Sequence, residues 1–391
     1  MGMMKFKATQ LFDGKRLFDN KVLVTQADGT IESIVDVQEA GESVRELDGI
    51  LMPGLINAHC HLELSHLKEV IAPHTGLIEF LCTVVTKRNF SPEVIQEKIA
   101  AAEQEMYANG IVGVGDIGNT ADTARVKAGS AICWHNFVEV ISFTDEKANE
   151  NMAHYRSQLA SLTQALAGSS LPHRSSLVPH APYSISPATF RMLNEATQEQ
   201  VISIHNQEHP AENELYTSGG GDYLKLFSIF GLTQSPFPIT GQSSLRSVLP
   251  YFDRGQTILL VHNTCTTQEE MEWAADYAKQ NGIRLQYCLC INANLYIENK
   301  RPPVNLLYQT GAPVVIGTDS YSSNWQLSVA SEIKSLHDHF PSIPLETILH
   351  WATLQGARAL QWEERLGSFE KGKKPGLVLL DIEAGRSQRI G

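Results

Sequence analysis

From residue 50 onward the sequence alternates short apolar, β-rich runs with longer stretches of helical period. This alternation constrains the fold more than any other feature. The β-rich runs fall at residues 50–56, 111–116, 132–140, 176–178, 201–204, 257–261, 284–289 and 313–317. Helical patterns lie between most of them, for example at 92–108, 187–199, 268–280 and 325–337. Strands separated by helices build a parallel sheet, and eight such units are the number that closes a barrel. The spacing therefore predicts an α/β chain organised as a (β/α)8 barrel.

The two ends read differently. Short apolar runs at 6–11, 21–25 and 31–37 are separated by turn pairs such as Asp13-Gly14 and Asp28-Gly29, the pattern of a small β unit. After residue 365 the chain returns to turn and strand, with Leu366-Gly367-Ser368 and then an apolar run up to Asp381. Both ends are expected to share one small domain, residues 1–50 plus 366–391, with the barrel inserted as residues 51–365. The Ser-, Pro- and Gly-rich piece at 233–244 reads as a loop beside the barrel mouth.

Composition excludes some partners. A hydrophobic fraction of 42% over 391 residues is ample for a large core. The formal net charge of −12 opposes binding to a nucleic-acid backbone. No run approaches the ~18 apolar residues of a membrane span, and no N-terminal apolar stretch suits a signal peptide. The six cysteines, Cys60, Cys82, Cys133, Cys265, Cys288 and Cys290, form no disulfide framework and no C-x-x-C pair. A cytoplasmic protein acting on a small molecule is expected; a homodimer is left open.

The chemistry-bearing residues sit at strand ends. His59 and His61, in Asn57-Ala58-His59-Cys60-His61, close the first run. Residues two apart on an extended chain point the same way, so both imidazoles can reach one ion. His180 follows the fourth run, His205 the fifth, His262 the sixth and Asp319 the eighth. Any one of them is explained as a polar group capping a strand. Together they mark the C-terminal face of a barrel, where active sites form, and imidazoles with a carboxylate suit a late divalent metal. Glu208 lies three residues beyond His205, placed to carry protons beside an ion; the plain alternative is a solvated glutamate.

These residues resemble a known family. Pro53-Gly54-Leu55-Ile56-Asn57-Ala58-His59-Cys60-His61 is similar to the opening motif of the amidohydrolase superfamily. The resemblance continues through His205-x-x-Glu208, His262, Gly317-Thr318-Asp319-Ser320 and Leu366-Gly367-Ser368-Phe369-Glu370-Lys371-Gly372-Lys373, nearly the whole chain. It implies a (β/α)8 TIM barrel with a composite β-sandwich from both termini. Within the superfamily the pattern looks like the aminoheterocycle deaminases. His61-Leu62-Glu63-Leu64-Ser65 and His180-Ala181-Pro182-Tyr183-Ser184 resemble segments of enzymes acting on adenine-type nucleosides such as aminodeoxyfutalosine. The chain departs from the usual pattern at Lys373-Lys374-Pro375-Gly376 and at Cys290-Ile291-Asn292-Ala293-Asn294; the second stretch lines the mouth and bears on substrate choice.

The resemblance implies one divalent ion, zinc by general affinity with iron or manganese as alternatives, held by His59, His61, His205 and Asp319. Binuclear relatives carry a lysine at the end of strand four, where this chain has Val178-Pro179-His180. It also implies roles in hydrolytic deamination: Glu208 and Asp319 move protons and His262 orients the attacking oxygen. His180 bonds the substrate ring, and Glu63, Arg88 and Glu139 are further candidates for substrate contact. Trp325 either covers the mouth or packs, and His66 and His74 are expected to be ordinary loop residues. The rivals are a cyclic amidase or chlorohydrolase using the same site, and a non-catalytic metal-binding protein.

Overall fold

The computed structural model describes residues 2–390. Eight parallel strands form the body of the molecule: β1 (Leu55–Cys60), β2 (Ile111–Gly118), β3 (Cys133–Val140), β4 (Arg174–Pro179), β5 (Val201–Asn206), β6 (Thr257–His262), β7 (Arg284–Leu289) and β8 (Val314–Ile316). They pair in chain order as two four-stranded sheets, β1 to β4 and β5 to β8. Backbone hydrogen bonds cross both seams. The His205 amide donates to the His180 carbonyl at 3.0 Å, and the Thr318 and Asp319 amides donate to the His59 carbonyl at 3.0 and 3.1 Å. The predicted barrel is the one observed.

The strands are buried along their whole length in β1, β3, β5 and β6. That is the expected result when parallel strands have helices on one side and packed barrel side chains on the other. Helices follow the predicted patterns closely, as at Pro92–Ala108, Pro187–Ala196 and Gln268–Asn281. The Ser91, Ser186 and Thr267 side chains cap these three, accepting from backbone amides of the first turn. The pattern at 325–337 is displaced: the helix is Val329–His339, because residues up to Ser328 form an irregular segment.

A seven-stranded sheet from both termini completes the fold. Its alternation explains its place. On Arg45–Pro53 and Leu377–Asp381, Ile50, Met52, Val378 and Leu380 belong to the main core against the barrel. The intervening Leu51, Leu377 and Leu379 join Phe6, Leu23 and Ile390 in a separate buried cluster. A period of two thus sends one face to the barrel and lets the sheet curl over the other.

One boundary differs from expectation. The run at 50–56 is two strands, not one: Arg45–Pro53 belongs to the terminal sheet and β1 starts at Leu55. The break is Gly54, whose missing side chain makes room for Val112 and the Pro375 carbonyl. A division after residue 50 therefore falls inside a strand. No helix among the described residues is long and apolar enough to cross a membrane.

Candidate active site

β1 delivers His59 within the strand and His61 just beyond it, and β5 delivers His205 from across the barrel. The ring nitrogens of these three lie within 4.8 Å of one another, and all three residues are buried. His61 Nε2 is 3.4 Å from His205 Nε2. Asp319 Oδ1 lies 3.4 Å from His61 Nε2 and 3.8 Å from His59 Nε2. Asp319 Oδ2 is held by the Ser323 hydroxyl at 2.6 Å, which leaves Oδ1 turned to the imidazoles.

These residues fit a divalent ion. His59 Nε2 is a buried nitrogen with no hydrogen-bond partner, a costly state unless something else coordinates it. The His205 Nδ1–H donates to the His180 carbonyl at 2.7 Å, which fixes the tautomer and turns the Nε2 lone pair inward. Burial holds His61 down to about 3 and His205 to about 4, and drives His59 well below the ordinary range. All three are neutral near pH 7, as metal ligands must be.

β6 ends on His262, whose Nε2 is 3.5 Å from Glu208 Oε1. Burial, then the Asp319 carboxylate, pushes the Glu208 carboxyl well above the ordinary carboxylate range. Burial also raises Asp319, opposed by Ser323. The backbone is strained at this end of the barrel: φ is +73° at His262, +59° at Asp319 and +45° at Gln207. Non-glycine residues in that region cost on the order of 1–3 kcal/mol each and cluster at functional sites.

His180, Glu63, Arg88 and Glu139 all line the same cavity, together with His61, His205, Glu208, His262 and Asp319. His180 Nδ1 bonds Ser184 Oγ at 2.8 Å, which leaves Nε2 free. Glu63 is buried and accepts from the Asn119 amide at 3.0 Å and the Thr120 hydroxyl at 3.1 Å. Arg88 Nη2 approaches Glu63 Oε1 at 3.5 Å. Burial lifts Glu63 to about 7, with Arg88 opposing. Glu139 accepts from Asn119 Nδ2 at 3.1 Å and lies 3.8 Å from His205 Nδ1.

The remaining candidates separate cleanly. Trp325 is half exposed and packs on Tyr296. His66 points its ring nitrogens at the Glu63 and Arg88 carbonyls, a structural tie. His74 is exposed. The divergent stretch after β7 does touch the centre: Asn294 Nδ2 donates to His262 Nδ1 at 3.3 Å.

Sequence reasoning missed the apolar wall of the cavity. Helix Leu77–Lys87 contributes Leu77, Phe80, Leu81 and Val84, and helix Tyr223–Ile229 with the residue after it contributes Leu226 and Phe230. The three- and four-residue spacing from Leu77 to Val84 was the available signal. Lys225 pairs with Glu79 across these two helices at 2.5 Å.

Known proteins share this architecture. An aminodeoxyfutalosine deaminase of a Nitratiruptor species is 24% identical over 375 residues, covering 94% of this chain and 87% of the relative. An aminofutalosine deaminase of Helicobacter pylori superimposes with a TM-score of 0.76 at 19% identity, over 96% of this chain and 91% of that one. An adenosine deaminase from Xanthomonas campestris with bound zinc gives 0.73 at 22% identity, over 97% and 85%. At these identities the two structures establish the barrel and its terminal sheet, not the reaction. The model of the Amidohydrolase family matches residues 50–388, and the chain belongs to that family.

Proposed function

We propose that this protein is a mononuclear metal-dependent deaminase that hydrolyses the amino group from an adenine-type nucleoside in the cytoplasm. The observation that carries the reading is Glu208, a buried carboxyl 3.5 Å from His262 that shares one cavity with His61, His205 and Asp319. The similarity to an aminodeoxyfutalosine deaminase over 94% of the chain supports it. The site belongs to the barrel unit divided off in the sequence as residues 51–365.

His59, His61, His205 and Asp319 would hold the ion. Zinc is the proposed metal, since three nitrogens and one oxygen suit its tetrahedral preference. A single ion is proposed because Val178-Pro179-His180 supplies no bridging lysine. When bound, the ion supplies Lewis-acid activation of water, whose pKa falls from ~15.7 to about 7.

The chain's own groups do the rest. Asp319 receives the proton of the attacking water on its carboxylate, which Ser323 keeps oriented. Asn294 donates to His262 Nδ1, so the His262 N–H sits on Nε2 and faces the attacking oxygen and Glu208. Glu208 donates its proton to the ring nitrogen next to the amino-bearing carbon, which makes that carbon electrophilic. Proton return through Glu208 and Asp319 lets ammonia leave. General acid–base help of this kind is worth about 10²–10⁴-fold. His180 Nε2 bonds the ring, Glu63 takes a ribose hydroxyl, Arg88 pairs with an acidic substituent, and Glu139 closes the wall beside His205.

The test is an ammonia-release screen over adenine and guanine nucleosides, including aminodeoxyfutalosine, run with metal analysis. Ammonia from an adenine nucleoside supports the reading. Turnover confined to cyclic amides or chlorotriazines replaces it with another amidohydrolase reaction. A metal-replete protein inert on every substrate returns the non-catalytic alternative.

A further inference from the structure

A buried charge pair lies behind the metal ligand His61 and takes no part in the chemistry above. Lys127 reaches inward from the short helix Ala124–Ala128 and is 2% exposed. Its Nζ lies 2.5 Å from Asp116 Oδ2 and 2.7 Å from Asn136 Oδ1, with the Trp134 ring 5.1 Å away. Asp116, near the end of β2, turns its other oxygen to β1: Oδ1 accepts from the Leu62 amide at 2.8 Å. Leu62 stands between His61 and Glu63.

The first amides of a helical turn have no partner within it. The turn Leu62–Leu67 opens without a side-chain cap of its own. Asp116 supplies the missing acceptor from the neighbouring strand, and the parallel register that places Cys60 beside Asp116 brings it there. A buried ion pair is a poor source of stability, because apolar residues of similar volume commonly do as well. Stability alone does not account for a lysine and an aspartate at this depth.

We propose that Asp116, neutralised by Lys127, is a positioning residue. By holding the Leu62 amide it fixes the turn from which His61 enters the metal site and Glu63 the cavity. Losing the bond frees that turn to tilt and weakens the ion's grip. Groups that orient metal ligands from behind typically change affinity 10–100-fold.

Two double variants separate position from stability, and both remove the two charges together. Asp116→Asn with Lys127→Met keeps an oxygen for the Leu62 amide. Asp116→Leu with Lys127→Met does not. Zinc affinity of the metal-stripped full chain is measured by competition with a chromophoric chelator, and folding by circular dichroism. The expected result is near-native zinc affinity in the Asn variant and a 10–100-fold loss in the Leu variant. Equal affinity in all three folded proteins overturns the proposal, and so does an equal loss in both variants. Where neither double variant folds, Asp116→Glu carries the test: it keeps the charge pair but displaces the acceptor by a methylene. Zinc affinity should fall there too, and unchanged affinity overturns the proposal. Zinc binding is read without substrate, so this outcome is independent of the deaminase reading.

Discussion

Glu208 Oε1 lies 3.5 Å from His262 Nε2, and both side chains are buried at the mouth of the barrel beside the imidazoles of β1 and β5. A carboxyl raised well above the ordinary range by burial suits the general-acid role proposed for it. Glu208→Gln keeps the shape and the hydrogen bonding but has no proton to give. Turnover should fall by about 10²–10⁴-fold while bound metal stays at the wild-type level. Steady-state kinetics with metal analysis on the same sample checks this, and normal turnover would remove Glu208 from its role.

Metal removal should be visible in stability as well as activity. Without a coordinated ion, His59 Nε2 has no partner, and the short distances among His61, His205 and Asp319 have no common centre. A ligand that binds only the folded state at 100 times its Kd stabilises by about 2.7 kcal/mol. Chelation is expected to lower Tm, and stoichiometric zinc to restore it. Asp319→Asn should show a smaller zinc-induced rise together with loss of turnover.

The strand ends were legible because the barrel imposes them. His262 ends a fully buried strand and His59 and His205 lie one residue from the end of theirs, and an apolar run closing on a polar residue is visible in one dimension. The other half of the cavity was not legible in this way. Phe80 and Leu226 face the same space from helices far apart in sequence, and an apolar helix face reads the same whether it covers a core or a substrate. Asp116 and Lys127 were equally hidden, since nothing in their spacing says that one holds the amide beside a proposed metal ligand. The strand break at Gly54 escaped notice because apolar residues continue on both sides of it; only the approach of Val112 and Pro375 explains it.

Gly317 tests how tightly the eighth strand is set against the first. A Cβ there would lie 2.8 Å from His59 Cβ and 2.9 Å from both the His59 carbonyl and Cys290 Sγ. His59 is fully buried and has nowhere to move. Gly317→Ala should cost about 1–3 kcal/mol of stability through overpacking. It should also lower metal affinity, because the displaced atom belongs to a proposed ligand. Thermal unfolding and a zinc titration read the two effects separately.

His135 gives a pH prediction that does not involve the metal site. It lies on β3, 3% exposed, stacked on Phe137 with ring centroids 4.4 Å apart. Burial, with Arg174 adding to it, holds its imidazole down to about 3, against about 6.5 for an exposed histidine. Between those two values the unfolded chain binds a proton at this position and the folded protein does not. Stability therefore rises with pH across the window and is lost on acidification from about 6.5 toward about 3. The contribution is about 1.4 kcal/mol per pH unit. Replacing His135 by leucine removes this one proton. The stability difference between variant and wild type should be constant above pH 7 and should shift in favour of the variant at each step below about 6.5. Denaturant unfolding of the two proteins across pH 7.5 to 5 measures it. Parallel stability curves over that range would show that His135 binds its proton equally well folded and unfolded.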